Sequence, residues 1–182
     1  MPDPEVWETF FAPERALDLF GCDRVVGDAV DLGCGYGTFS LPAARRIGGV
    51  LHAFDVDPAA LAVLRVQAKR SGIGNLQLHE RDFIAEGTSL PDGSVDFVML
   101  FNILHGEEPE TLLREARRIL RPGAVAAVMH WRSDVPTPRG PDLAIRPRPE
   151  QVAIWAQAAG LEAGRAAIVI EPFHFGLRLV RR

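Results

Sequence analysis

The sequence predicts an α/β fold, a mostly parallel sheet of seven strands with helices on both faces and an antiparallel hairpin at the C-terminal end. Three observations carry this expectation. Short apolar runs alternate with longer stretches of helical periodicity along most of the chain. Glycine and proline mark the changeovers between them. The last two apolar runs, 166–170 and 175–180, lie too close together for a helical crossover, so they are expected to pair antiparallel.

The elements follow in order. Val25, Val26, Ala29, Val30 and Leu32 make the first strand, which is broken by Gly33. A helix is expected over 38–47, stopping at Gly48-Gly49, and a second strand over 50–55. Asp57 then caps a helix that has Pro58 at its first position, where the missing N–H costs nothing. Leu61, Leu64 and Ala68 lie on one face of that helix, and Ser71-Gly72 ends it. Leu76 and Leu78 mark a third strand and 95–101 a fourth, after a turn at Pro91-Asp92-Gly93. Pro109 opens a helix with the stripe Leu112, Leu113, Ala116, Ile119 and Leu120, and Pro122-Gly123 closes it. A fifth strand over 125–129 and a helix over 150–159 lead to the hairpin.

A length of 182 residues fits one domain, 1–182, with a core of its own. Apolar residues at 47% and charged residues at 24% exclude wholesale disorder. A net charge of −4 is the wrong sign for a grip on nucleic acid resting on bulk positive charge. No apolar run is long enough to span a membrane, and the acidic start Met1-Pro-Asp-Pro-Glu does not read as a secretory signal. Cys22 and Cys34 fit neither a disulfide framework nor a paired zinc spacing, so a reducing, cytoplasmic setting is expected. The five histidines are scattered, and no metal site is expected.

Two segments frame the candidate site. Residues 1–24 are expected to form a short N-terminal helical cap, with Trp7, Phe10, Phe11 and Leu17 as a bulky apolar stripe. Such a stripe suits either plain core packing or a lid whose aromatic faces hold a cation. Residues 131–149 hold five prolines and four arginines, the composition of an irregular loop that is either a functional lid over the mouth of the sheet or a disordered segment. Arg132, Arg139, Arg146 and Arg148 there suit either an acidic acceptor or a solvated loop.

The chemistry centres on Asp31-Leu32-Gly33-Cys34-Gly35-Tyr36-Gly37-Thr38, between the first strand and the first helix. Alternate glycines let the backbone turn tightly and approach a ligand, and the helix that follows is expected to present unpaired N–H groups. Asp55 ends the second strand 24 residues after Asp31, placed to accept hydrogen bonds from ribose hydroxyls. Asp82 ends the third strand region, and Phe83 beside it offers a face to a flat base. The third glycine comes one residue too early for a dinucleotide fingerprint, and Thr38 fills that slot. Asp31 would repel a pyrophosphate and suits a ligand with an amine or a positive charge.

These residues resemble the class I S-adenosylmethionine-dependent methyltransferases, whose first motif is an acid followed by G-x-G-x-G. Phe54-Asp55-Val56-Asp57, Arg81-Asp82-Phe83, Leu90-Pro91-Asp92-Gly93-Ser94-Val95-Asp96 and Leu120-Arg121-Pro122-Gly123 add to the likeness, which runs motif by motif from Val25 to Leu120. The resemblance implies a Rossmann-like fold and S-adenosylmethionine as cofactor. Asp31, Gly33 and Gly35 would line its methionine part, with Tyr36 and Gly37 shaping the loop. Asp55 would bind the ribose, Val56 would lean on the adenine, and Asp82 and Phe83 would meet the adenine rim. Phe101 and Asn102 would cover the cofactor near its sulfonium. His105 falls where this family often has a histidine, and it would either position or deprotonate the acceptor or serve as a structural histidine bonding a loop carbonyl. Arg81 departs from the pattern, and its side chain would crowd or cap the adenine.

The expected activity is methyl transfer to a small molecule by in-line displacement. The Asn/Asp-Pro-Pro-Tyr sequence of amino-methylating DNA enzymes is absent, since Phe101-Asn102-Ile103-Leu104 stands there. A small N-terminal cap leaves an open cleft, or one completed by a second copy of the chain in a homodimer. Two rivals remain, a non-catalytic module that binds the cofactor and acts as a regulatory partner, and an NAD-dependent oxidoreductase, which the glycine spacing disfavours.

Overall fold

A computed structural model describes residues 10–182. Trp7, in the expected N-terminal stripe, lies outside the described residues. In chain order the elements are α1 (Pro13–Phe20), β1 (Ala29–Leu32), α2 (Ser40–Ala44), β2 (Leu51–Asp55), α3 (Pro58–Arg70), β3 (Leu76–Glu80) and β4 (Val95–Phe101). Then come α4 (Pro109–Ile119), β5 (Leu120–Trp131), α5 (Pro149–Ala158), β6 (Leu161–Ala163), β7 (Ile168–Ile170) and β8 (His174–Arg181). Single 3₁₀ turns stand at Cys22–Arg24 and Leu143–Ile145.

The strands lie in the order β3-β2-β1-β4-β5-β8-β6, with β7 also paired to β8. Pairings from β3 through β5 are parallel, and β8 runs antiparallel to β5, β6 and β7. Among the described residues there are thus eight strands where the sequence suggests seven. The difference is one of continuity. β6 and β7 both pair along the same partner strand, from Leu161↔Arg181 to Ile170↔His174. Residues 164–167 insert two extra positions between Ala163↔Leu179 and Ile168↔Gly176, which splits the outermost strand in two. The sheet is therefore seven positions wide.

Each face of the sheet carries its own core because side chains alternate along a strand. Val30, Leu32, Val98, Leu100 and Val128 pack against Leu112, Leu113 and Ala116 of α4 and Val152 and Ala156 of α5. On the opposite face Ala29, Phe97, Met99, Phe101 and Met129 pack against Leu17 and Phe20 of α1 and Ala43 of α2. β1 and β4 are covered on both sides, so their sequences read as nearly unbroken apolar runs. Asp57 caps α3 as expected, accepting from the backbone N–H groups of Ala59 at 2.9 Å and Ala60 at 3.4 Å.

α2 is much shorter than the helix expected over 38–47. Pro42 sits inside it, and the chain continues after Ala44 only as hydrogen-bonded turns from Arg46 and Ile47 back to Ala43. Residues 25–28 likewise stay outside β1, which begins only where Ala29 can pair with Leu51 and Phe97.

Candidate active site

The parallel strands β1, β2 and β4 deliver their carboxyl ends side by side, the position where open α/β sheets bind ligands. Asp31 lies in β1 on the face covered by α1 and α2. It is 3% exposed, and its carboxylate accepts a 2.5 Å hydrogen bond from the Ser40 hydroxyl at the start of α2. Burial pushes the Asp31 carboxyl up to about 7, against the opposing pull of the Ser40 bond. Ser40 is the residue that sequence reasoning missed here; a serine inside an otherwise apolar helix was its only signal.

The glycine loop is held by its own backbone. The N–H groups of Gly33 and Cys34 donate to the Phe54 carbonyl, and that of Gly37 to the Cys34 carbonyl, each at 2.9 Å. Gly35 N–H donates to the Asp55 carboxylate at 2.7 Å. These four loop N–H groups are already used, and α2, which follows, is five residues long. Gly33 has φ +78°, and a Cβ there would stand 2.7 Å from Ile103 Cδ1. Gly37 has φ +90°, and a Cβ there would stand 2.2 Å from Leu64 Cδ1 in α3. Tyr36 is half-buried between them.

Asp55, half-buried at the end of β2, also accepts from the Asp57 N–H at 3.0 Å. Two bonds leave its carboxylate with spare lone pairs. Val56 beside it is 61% exposed, an uncovered apolar surface at the rim.

Other expected residues are used differently. Asp82 caps a turn, accepting from Ile84 N–H at 3.1 Å and Ala85 N–H at 3.0 Å. Phe83 is 5% exposed and edges onto Phe54 with ring centres 6.4 Å apart, so its face belongs to the core and not to a bound base. Phe101 is wedged between Phe39 at 4.7 Å and Phe20 at 5.5 Å. With 7% of its surface exposed, most of the ring is already spent on these two neighbours. Arg81 is tied to the segment that follows it. Its guanidinium bonds the Gly87 carbonyl and the Ser89 hydroxyl and lies 3.5 Å from the Glu86 carboxylate.

Asn102 follows β4 with φ +58°, a left-handed conformation that asparagine tolerates, and its N–H donates to the Met129 carbonyl at 2.7 Å. Its side-chain Oδ1 is buried without a hydrogen-bond partner. His105, three residues on, is half-buried, which lowers its pKa, and its Nδ1 lies 3.2 Å from Nε2 of His130 in β5. A cavity of about 530 Å³ opens beside His105, with Glu107, Glu110, Arg114, Ile145 and Trp155 among its lining. Another, of about 380 Å³, lies at the opposite end of the sheet near Val26, Asp96 and Arg121.

The N-terminal aromatics pack onto the end of β5. Phe11 meets Trp131 at 5.6 Å, His174 at 5.0 Å and Phe39 at 5.5 Å, and Phe10 meets Trp131 at 6.2 Å. Leu17 is fully buried in the core.

In the 131–149 loop, Arg146 is not a free anion ligand. It is 7% exposed and donates to the carbonyls of Pro141 at 2.8 Å, Arg132 at 3.0 Å and Arg139 at 3.4 Å and to the Thr137 hydroxyl at 2.7 Å. Its guanidinium also lies 5.7 Å from the Trp131 ring centre. Arg132 pairs with Asp134. Replacing Arg146 with alanine strands these acceptors, a local loss of about 2 kcal/mol or more. Amide exchange across 132–146 is expected to speed up about 30-fold while β1 and β4 amides stay protected, as hydrogen-exchange mass spectrometry can read. Unchanged exchange there would show that the loop does not depend on this residue.

Comparison with known proteins extends the picture. Residues 29–123 match the family described as Methyltransferase domain. Over 95 residues, half of this chain and 41% of the relative, it is 36% identical to the aklanonic acid methyltransferase DauC of Streptomyces sp. strain C5. Over 154 residues, 82% of this chain and 48% of the relative, it is 30% identical to the ribosomal protein L11 methyltransferase of Vibrio campbellii. The chain thus spans less than half the length of these curated relatives. Among solved structures, a SAM-dependent methyltransferase from Aquifex aeolicus shares its fold with a TM-score of 0.86, covering 99% of this chain and 94% of that one at 24% identity.

Proposed function

Because the chain belongs to the methyltransferase-domain family, the class I S-adenosylmethionine-dependent enzymes, we propose that it transfers a methyl group from S-adenosylmethionine to a small molecule at the carboxyl ends of β1, β2 and β4. One observation carries the reading. A buried carboxylate stands behind the glycine loop, and an unbonded amide oxygen stands at the next strand end.

The residues present fit the cofactor. Asp31 offers negative charge in a dry setting, suited to a ligand with a cationic centre. Asn102 Oδ1 is an acceptor in search of a donor, such as an ammonium group. Asp55 keeps lone pairs for ribose hydroxyls, and Val56 offers an apolar surface to the adenine. Gly33, Gly35, Tyr36 and Gly37 give the loop its shape, and the Asp82 turn bounds the adenine side. When bound, S-adenosylmethionine supplies a methyl group on an already activated leaving group. The chain's part is then alignment, and proximity of this kind supplies roughly 7–11 kcal/mol. His105 takes the proton that an acceptor O–H or N–H gives up, and the cavity beside it admits the acceptor.

A net charge of −4 and the name of the aklanonic acid relative support a small acceptor. The second reading is a protein acceptor, favoured by the long match to the ribosomal protein L11 methyltransferase. The 131–149 loop and the N-terminal aromatics frame the acceptor side, and a second copy of the chain would complete it. Among the described residues no helix is long and apolar enough to cross a membrane. Cys22 and Cys34 are buried free thiols, which supports work in a reducing compartment such as the cytoplasm.

Calorimetry with S-adenosylmethionine, S-adenosylhomocysteine and NAD tests the cofactor. Heat is expected with the first two and none with NAD, and no heat with either adenosyl compound overturns the proposal. Release of S-adenosylhomocysteine across panels of small hydroxyl and amine acceptors and of proteins then tests the acceptor. Binding without any release would favour a regulatory cofactor-binding module.

A further inference from the structure

Two histidines from different strand ends are wired in series. His130 Nδ1 lies 3.2 Å from the Trp131 carbonyl oxygen, and His130 Nε2 lies 3.2 Å from His105 Nδ1. A carbonyl can only accept, so the proton of the first bond sits on His130 Nδ1. The His130 ring is fully buried, and the groups facing it are His105, the His174 ring and the Arg146 cation. Burial first, then His105 and Arg146, lowers its pKa to about 4, so at neutral pH it is neutral and its Nε2 carries a lone pair. The proton between the two rings must then come from His105 Nδ1. Since His105 is also held below its ordinary pKa by burial, its own Nε2 is left bare. Among the described residues, that nitrogen has no protein partner.

The geometry points to His130 as a positioning residue for His105. The Trp131 carbonyl orients His130, and His130 orients His105, leaving Nε2 of His105 as the one nitrogen of this pair free to take a proton. A free imidazole favours the opposite tautomer, so a fixed one is the work of its surroundings. What the bare nitrogen acts on rests on the function proposed above; the tautomer itself does not.

Long-range proton–nitrogen NMR on the full chain, with and without S-adenosylmethionine near pH 7.5, tests this directly. His105 and His130 are both expected to show a protonated Nδ1 and a bare Nε2, assigned through His105→Ala. A proton on His105 Nε2 in the wild-type protein overturns the inference, whatever the His130 variants show. Two variants separate orientation from packing. His130→Gln puts an amide oxygen near the old Nε2 position and is expected to keep the His105 tautomer. His130→Asn reaches only the old Nδ1 position and is expected to release His105 to the common tautomer, with cofactor affinity within threefold of wild type in both. An unchanged His105 tautomer in a folded His130→Asn variant would also overturn the inference. With an acceptor in hand, kcat/KM should fall about 10- to 100-fold in His130→Asn and recover most of that loss in His130→Gln. If the wild-type protein binds no S-adenosylmethionine, the proposed function fails while the tautomer result still stands.

Discussion

Replacing Asp31 with asparagine is expected to weaken S-adenosylmethionine binding about 100-fold or more while making the ligand-free protein more stable above pH 7. Both effects come from one buried carboxyl. Its pKa rises from 3.8 to about 7 on folding, chiefly because burial disfavours the charge. Between those values the folded chain holds a proton that the unfolded chain has released. Stability from this group is therefore complete below about pH 4 and is lost as pH rises to about 7. Above pH 7 the cost of the buried charge is on the order of 4 kcal/mol, and asparagine does not bear it. The weakened Ser40 bond returns part of that gain, which leaves a rise in melting temperature of about 5–10 °C.

Two buried histidines titrate in the opposite sense. His130 is lowered to about 4 and His174 to about 3, mainly by burial, so both favour the folded state as pH rises toward 6.5. The wild-type stability curve should rise through the acid range and turn down near pH 7, while the Asp31→Asn curve should rise and level off. Thermal melts from pH 5 to 9 read this, and an unchanged melting temperature at pH 8 would refute it. A cationic cofactor favours the ionised carboxylate, so binding should release a proton and weaken by up to about tenfold per pH unit below pH 7. Titrations in buffers of different ionisation enthalpy measure that proton. Affinity within threefold of wild type in the variant would remove Asp31 from the site.

Gly37→Ala is expected to cost about 2–5 kcal/mol of folding stability. The backbone at φ +90° lies where a Cβ is strained by about 1–2 kcal/mol. That Cβ would also meet Leu64 Cδ1 at 2.2 Å, and overpacking of this kind adds about 1–3 kcal/mol. Leu64 is fully buried in α3 and cannot swing into solvent. Urea unfolding of Gly37→Ala, Leu64→Ala and the double variant separates the two parts. The double variant should be less destabilised than the sum of the singles by about 1 kcal/mol or more, since removing Leu64 Cδ1 removes the clash. Strict additivity would mean that Leu64 is not the obstacle.

What the sequence reveals and what it hides divides by range. The glycine spacing from Gly33 to Gly37, the Asp57-Pro58 cap and the apolar stripe of α4 are local patterns, and the structure shows each one. The side of the sheet a residue faces is not local. β4 is apolar on both faces, so nothing in 95–101 distinguishes the inward Phe101 from a residue of the cleft. Phe83 is hidden for the same reason, since its partner Phe54 belongs to another strand. Arg146 reads as a surface charge until four acceptors from Arg132 to Pro141 close around it. Ser40 behind Asp31 and His130 beside His105 are contacts across 9 and 25 positions that no periodicity announces. β6 is three residues long, too short to register as a run.

That short strand also shapes how the molecule meets its neighbours. An exposed border of unpaired amides and carbonyls invites a foreign strand to zip onto it. Here the border is broken around Gly164, with Leu161–Ala163 offset by two residues from Ile168–Ile170. Glu162 and Arg182 add an ion pair on the β6 side of the break. An intruding strand finds the row of docking groups out of step after three residues, which shortens the stretch over which it can pair at this edge.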